Sequence, residues 1–220
     1  MKTTFTNRYL LFAVLVLFTT GCSSSYHAIN PENVSFSAKT ESNNVELQYK
    51  YDVLAEAGNK KYAKREKKSL VQVVAVKYTN NTDRIIDLSK DVHLTAAAIK
   101  FTPLTPVLAH RQLKQEVPLY LLYLLSAPVQ LPAKQKYENG KVVEKAEPLP
   151  IGLFLGPGLS IYNIFKASTA NKRFLEELKR YDVSNHKLMP GESVFGLIPI
   201  ANSGYAPLSI KTEELSAQSN

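Results

Sequence analysis

The chain has 220 residues, of which 45% are hydrophobic, and its formal net charge is +8. A single cysteine excludes an intramolecular disulfide and a cysteine-based metal cage within one chain. The apolar content suffices for one packed domain, and the mildly basic charge suits an anionic surface rather than nucleic acid, which needs a denser basic footprint.

The segment from Met1 to Gly21 has the three-part layout of a secretory signal. Two cations and no acid precede an unbroken apolar run from Tyr9 to Phe18, and small residues follow it. This run of 10 residues is too short to cross a bilayer as a helix, which takes about 20. We therefore expect residues 1–21 to be removed on export.

Thr19, Thr20, Gly21 and Cys22 together resemble the lipobox of bacterial lipoproteins. In that family the cysteine thiol, the one good nucleophile of the motif, takes a diacylglyceryl group and becomes the first residue of the mature protein. The resemblance implies lipidation of Cys22, and the serine that follows implies delivery to the outer membrane, facing the periplasm. Ordinary signal cleavage with an unmodified Cys22 is the alternative.

The start of the mature chain is polar. Ser23, Ser24 and Ser25 have the composition of a flexible linker, so residues 22–32 are predicted to form the lipidated N-terminus and a tether. Residues 33–220 are predicted to form a single β-rich domain with a helical insertion.

Strand patterns begin soon afterwards. Val45 to Val53 alternate apolar and polar residues, which predicts a half-buried strand. Leu70 to Tyr78 is β-branched on both faces and predicts a more central strand that ends in a turn at residues 80–83. We expect Ile85 to Leu88 to be its hairpin partner.

Between these strands lies a basic run of six cations in nine residues, interrupted by Glu66. Its members are Lys60, Lys61, Lys64, Arg65, Lys67 and Lys68. We expect a solvated loop here, as for most charge runs. Contact with an anionic surface, such as phospholipid or lipopolysaccharide headgroups, is the alternative.

Two later segments are apolar without alternation. Leu119 to Leu125 is flanked by prolines, which favours a buried strand or a short core helix over a membrane element. Pro150 to Phe165 contains Gly152 and Gly156, a spacing that lets helices approach closely. We expect this second segment to be core, and an exposed docking surface is the alternative.

The C-terminal third combines a helix with two strands. Phe174, Leu178 and Tyr181 share one helical face, and Ser160 is the predicted N-cap of that helix. Alternating and β-branched residues then predict strands from Ser193 to Ile200 and from Leu208 to Lys211. Asn139-Gly140 predicts an exposed hairpin turn further upstream.

These elements predict a mainly β protein, an antiparallel immunoglobulin-like β-sandwich with an α-helical insertion near residues 159–181. The closing pattern from Leu188 to Glu192, before an apolar strand that contains Gly196, resembles the terminal strands of uncharacterised sandwich-domain lipoproteins of Gram-negative bacteria. This resemblance implies no catalytic or binding residue.

No motif for chemistry is found. The histidines at 27, 93, 110 and 186 are widely separated and lack metal-ligand spacing. Gly158 to Tyr162 lacks the second glycine of a nucleophile elbow, and Pro157 removes an amide donor that a phosphate loop would need. We therefore predict neither a metal nor a cofactor nor an enzymatic activity.

The function predicted from these observations is a membrane-anchored envelope lipoprotein that acts as a non-enzymatic binding or interaction module. Its partners would be the membrane, through the lipid on Cys22, and an envelope protein or polymer, but not nucleic acid. One alternative is a sandwich that binds an amphipathic ligand or glycan through its Tyr and Phe residues. A more remote alternative is a hydrolase whose site is assembled from distant residues.

Overall fold

The computed structural model describes residues 23–96, 99–131, 135–138, 141–145, 147–201 and 204–212. The predicted signal peptide, Cys22 and the predicted turn at Asn139-Gly140 lie outside the described residues. By its internal contacts the chain divides into two compact units, which we call unit 1 and unit 2. Unit 1 is Met1–Ser25 with Gln115–Thr169, and unit 2 is Tyr26–Lys114 with Ala170–Asn220. A single domain over residues 33–220 stays a prediction, since such units can belong to one domain.

The described strands are β1 (Ala38–Ser42), β2 (Val45–Lys50), β3 (Val71–Asn80), β4 (Ile86–Asp87), β5 (Val92–Ala96), β6 (Ile99–Phe101), β7 (Gln135–Glu138), β8 (Lys141–Lys145), β9 (Lys187–Leu188), β10 (Ser193–Ala201) and β11 (Leu208–Thr212). The α-helices are α1 (Val53–Glu56), α2 (Lys60–Ser69), α3 (Pro106–Leu113) and α4 (Ile151–Arg180). Two 3₁₀-helices, η1 (Pro31–Asn33) and η2 (Val117–Ser126), complete the set.

Unit 2 contains three antiparallel sheets. Their strand orders are β1-β2-β3-β10, β11-β5-β6 and β4-β9. The predicted antiparallel sheets and the long helix are therefore confirmed. Helix accounts for 38% of the structure and strand for 29%, which makes the fold class mixed rather than clearly a sandwich.

The four-stranded sheet of unit 2 is buried on both faces. One face shares an apolar core with the other two sheets, through Leu47, Val76 and Ile198 among others. The opposite face, which includes Val73 and Leu197, is covered by side chains from helices. The predicted central position of β3 is thus confirmed, because a strand buried on both sides needs apolar residues at consecutive positions.

Two strand predictions need correction. The strand predicted from Val45 to Val53 ends at Lys50, because the backbone turns at Asp52 with φ of 58° and helix α1 follows. Ile85 to Leu88 does not pair with β3, whose two edges are occupied by β2 and β10. The buried Asn80 side chain donates to the Arg84 carbonyl at 2.7 Å, which turns the chain away, and β4 pairs with β9 instead.

The basic run is a helix rather than the predicted loop. Tyr62, Ala63 and Glu66 are buried on one side of α2, and this spacing is that of one helical face. Lysine and arginine are good helix formers, so the charges between the buried positions do not oppose the helix. The prediction of a loop rested on the charges alone and did not use the three buried positions, which are spaced as on a helix.

Unit 1 contains η2, the β7–β8 hairpin and the first part of α4. In the hairpin Glu138 pairs with Lys141, so the strands on either side of the predicted turn are antiparallel neighbours. Helix α4 begins at Ile151, so Ser160 lies in its interior and is not an N-cap. Pro157 lies within this helix, although a proline disfavours a helix interior.

Candidate functional site

The first described residues are fixed to unit 1 and do not form the predicted flexible tether. The backbone N–H and the hydroxyl of Ser23 both donate to Asn163 Oδ1, at 2.7 and 2.8 Å. Ser24 exchanges two hydrogen bonds with the side-chain amide of Gln115. Serine composition predicts a linker only where the chain offers no buried partner, and here two amide side chains offer one. Cys22 is therefore one peptide bond from a buried residue of unit 1.

The rest of the predicted tether is also ordered. Tyr26, Ile29 and Pro31 are buried in unit 2, and the Glu177 carboxylate accepts a hydrogen bond from the Ile29 N–H. These residues belong to the apolar core behind the four-stranded sheet. The folded body thus starts directly after Cys22 instead of after residue 32.

Helix η2 turns its leucines outward. Tyr120, Tyr123 and Ser126 are buried at a spacing of three residues, which is one face of a 3₁₀-helix. The leucines between them are 44% to 71% exposed. The prediction that this segment is buried is therefore wrong for its leucines.

The part of α4 in unit 1 has the same inverted arrangement. Its buried positions are small or polar, namely Gly152, Gly156, Ser160, Asn163 and Ala167. Leu159 and Ile164 are partly buried against Tyr120 and Tyr123, but most large apolar side chains are exposed, so that Phe154 is 71% exposed, Phe165 70% and Leu155 51%. The prediction that residues 150–165 are core is wrong for these large side chains. They form an exposed surface, which was the alternative.

The two buried glycines explain this inversion. A Cβ atom on Gly152 would overlap the Ser126 carbonyl oxygen, and one on Gly156 would lie 2.8 Å from the Tyr123 carbonyl oxygen. Helix α4 can approach η2 only because both side chains are hydrogen atoms. A Cβ atom on Gly158, by contrast, would meet no other atom within 4 Å, so the glycine pair sets the packing.

We call the exposed large apolar side chains of η2 and of the first part of α4 the apolar belt. Its members are Leu119, Leu121, Leu122, Leu124, Leu125, Leu153, Phe154, Leu155, Ile161, Tyr162 and Phe165. Unit 1 holds thirteen of the twenty exposed large hydrophobic side chains among the described residues, although it is the smaller unit. An apolar concentration of this kind marks an interaction surface.

Polar groups flank the belt. After its last member in α4 comes Lys166, whose Nζ lies 5.5 Å from the centroid of the Tyr162 ring. Between the end of η2 and the start of α4 lies the β7–β8 hairpin, whose described residues include lysines at 136, 141 and 145 and glutamates at 138 and 144. An aromatic ring next to a cation, as at Tyr162 and Lys166, is typical of an apolar–water boundary.

The basic run forms a separate feature, on unit 2. Lys60, Lys64, Lys67 and Lys68 are exposed at spacings that place them on one face of α2. Lys61 and Arg65 are partly buried. Like charges four residues apart oppose helix formation by a few tenths of a kcal/mol, so this face is not explained by stability.

Unit 2 buries ionisable groups that its core must accommodate. Burial raises the pKa of Glu66 to about 7, even though its carboxylate accepts a hydrogen bond from the Val73 N–H at 2.7 Å. Burial also raises the pKa of Glu177 and lowers that of His110. The two carboxylates accept backbone hydrogen bonds that hold β3 and the N-terminal segment, which is a structural role.

The histidines of the described residues do not belong to a group that could hold a metal ion. His186 Nε2 lies 3.3 Å from Glu192 Oε1 at the surface. Within the described ranges no group of three or more His, Cys, Asp or Glu side chains could hold a metal ion. Measured over those same ranges, no helix has the length and apolar character that crossing a membrane requires.

No protein-family model, curated protein or solved structure matches the chain. The site is therefore defined by its geometry. It consists of an apolar belt on a small helical unit, next to the residue that follows Cys22. A signal for it was present in the sequence, since the small residues of α4 recur every three or four positions while the large ones fall between them.

Proposed function

We propose that the chain is a lipid-anchored protein of the bacterial envelope. Residues 1–21 direct its export, Cys22 carries the lipid, and the body lies at the outer membrane, facing the periplasm. Unit 2 then serves as a non-enzymatic binding module for an envelope protein or polymer. Support comes first from the basic, apolar and small segments that precede the only cysteine.

The observation that carries the proposal is the fixed position of Ser23. Both of its donors are bound to Asn163 in α4, so a lipid on the preceding residue would hold unit 1 directly against the bilayer. One acyl chain binds a membrane only marginally, whereas two or more anchor stably. A lipoprotein-type anchor on Cys22 carries two or more acyl chains and would therefore hold the protein stably on the membrane.

For unit 2 we propose an immunoglobulin-like sandwich as the finer fold. The four-stranded and three-stranded sheets bury Leu47, Val76, Leu94 and Ile210 in one common core, as two facing sheets do. The helical layer on the other face of the four-stranded sheet is an addition to such a sandwich. Exposed lysines of α2 are the proposed contact with anionic headgroups, because four of them share one face.

The test of the anchor is metabolic labelling with palmitate followed by membrane fractionation. We expect wild-type protein to carry the label and to sediment with membranes, and Cys22→Ala to lose the label. The matched control is Ser25→Ala, an exposed position three residues later, which should retain both properties. An unlabelled wild-type protein would overturn the proposal.

A further inference from the structure

We infer that the apolar belt of unit 1 is a second, non-covalent membrane contact, seated among the lipids of the leaflet that holds the Cys22 anchor. This inference rests on the proposed anchor for its orientation. The belt itself is a property of the fold and would attract lipid with or without acylation. Its occupant is a phospholipid leaflet.

The position of the chain outside the described residues points to lipid. The N-terminal segment before the described residues ends at Cys22, and Ser23 is bound to Asn163 on the buried face of α4, within the same unit as the belt. An acylated Cys22 would therefore bring the acyl chains to the small unit that carries the belt. No other surface of the described chain combines such an attachment point with so many exposed apolar side chains.

The side-chain packing of unit 1 also supports a lipid environment. The fully buried positions of α4 in this unit are small or polar, while most of its large apolar side chains are exposed, as in helices whose surroundings are as apolar as leucine. Most backbone polar groups of the belt belong to helices, as an apolar environment requires. Tyr162 and Lys166 pair an aromatic ring with a cation, a combination suited to the headgroup boundary.

The length of the belt limits how far it can extend across the bilayer. The apolar part of α4, residues 151–165, is about 22 Å long at 1.5 Å per residue. The hydrocarbon core of a bilayer is about 30 Å thick. Because the belt is shorter than the hydrocarbon core is thick, we place it in one leaflet, without crossing the bilayer.

The test uses the single native cysteine. If Cys22 is acylated, a cysteine introduced elsewhere is the only reactive thiol of the full chain. We would introduce Leu125→Cys, Phe154→Cys and Phe165→Cys one at a time at exposed positions, label each with an environment-sensitive nitrobenzoxadiazole dye, and reconstitute the protein into phosphatidylethanolamine–phosphatidylglycerol vesicles. Lys90→Cys, exposed on unit 2, is the matched control.

We expect the emission of dyes on the belt to shift to shorter wavelength and to be quenched severalfold more strongly by spin-labelled lipid than the dye at Lys90→Cys. Quenching on one of the two helices alone also supports the inference, with the other helix facing water. Dyes at all three positions as exposed to water as the control would overturn it. Shielding that grows with protein concentration but is insensitive to spin-labelled lipid would also overturn it, in favour of a second copy of the chain.

The anchor proposal is tested separately by dye labelling of the wild-type protein. Wild-type protein without an introduced cysteine should take no dye if Cys22 is acylated. If it does take dye, the anchor proposal fails, and the same measurements in a Cys22→Ser background still decide whether the belt contacts lipid. A belt that stays exposed on an acylated protein is the opposite case, in which only the inference fails.

Discussion

Helix α4 follows opposite rules in its two parts. In unit 2 it buries Phe174 and Leu178 and exposes the ion pair of Lys172 and Glu176, as a helix in water does. In unit 1 it buries glycine, serine and asparagine and exposes Phe154 and its neighbours. The difference teaches that the fully buried positions of the unit 1 part are taken by small or amide side chains, whereas those of the unit 2 part include large apolar ones.

The largest expected effect is a difference in unfolding free energy between alanine variants of two phenylalanines of this helix. Phe174 is fully buried and packs against Tyr62, with ring centroids 4.8 Å apart, so Phe174→Ala should cost about 3–5 kcal/mol of unfolding free energy. Phe165→Ala removes the same side chain from an exposed position and should change that free energy by less than about 0.5 kcal/mol. Urea unfolding followed by circular dichroism measures both. Similar losses in the two variants would show that Phe165 is also core.

The second effect concerns pH and unit 2. Burial raises the pKa of Glu66 from 4.5 in the unfolded chain to about 7, so the folded state favours the protonated acid. Its stabilising contribution is present below pH 4.5 and is lost as pH rises through 7. We expect the wild-type protein to lose up to about 3 kcal/mol more than Glu66→Gln between pH 4.5 and pH 8.

The measurement is the free energy of unfolding at both pH values. Glu177 shifts in the same direction, so Glu66→Gln should reduce the pH dependence without abolishing it. Glu176→Gln, at an exposed position of α4, serves as the control and should follow the wild type. In unit 1 the buried side chains of Ser23, Ser160 and Asn163 are not ionisable, and this sharpens the contrast between the units. If the unfolding free energy of Glu66→Gln depended on pH as steeply as that of the wild type, Glu66 would not be the cause of the pH dependence.

The sequence allowed much of unit 2 to be predicted. Alternation in β2 and apolar runs in β3 and β10 reflect burial on one or two faces of a sheet, and such burial leaves a local pattern. The pairing of β4 with β9 could not be predicted, because it depends on Asn80 reaching carbonyls that are distant along the chain. Local pattern carries no information on such contacts.

Unit 1 was harder for a different reason. An apolar run in a sequence predicts burial, because hydrophobic residues usually face inward in water. The runs at 119–125 and 150–165 depart from this rule, since many of their large side chains are exposed. The serines at 23–25 misled in the same way, since their partners Gln115 and Asn163 are far away in sequence.

The smallest expected effect tests the rule that unit 1 follows, with two glycines of the same helix. Replacing glycine by alanine inside a helix adds up to about 1 kcal/mol of stability through helix propensity alone. Gly158→Ala should show this gain, because nothing lies within 4 Å of the new Cβ. Gly152→Ala should instead lose about 1–3 kcal/mol, because its Cβ would overlap the Ser126 carbonyl oxygen, and a backbone atom cannot move aside as a side chain can.

The readout must report on unit 1 itself. Limited proteolysis between η2 and α4, together with the urea midpoint, should show faster cleavage in Gly152→Ala and none of this acceleration in Gly158→Ala. Gly156→Ala should fall between them, since its Cβ would meet the Tyr123 carbonyl at 2.8 Å and the rotatable Ser126 hydroxyl at 2.9 Å. If all three variants gained stability alike, close approach would not be what keeps the small residues inside. The outward position of the large side chains would then need another cause, such as the proposed contact with lipid.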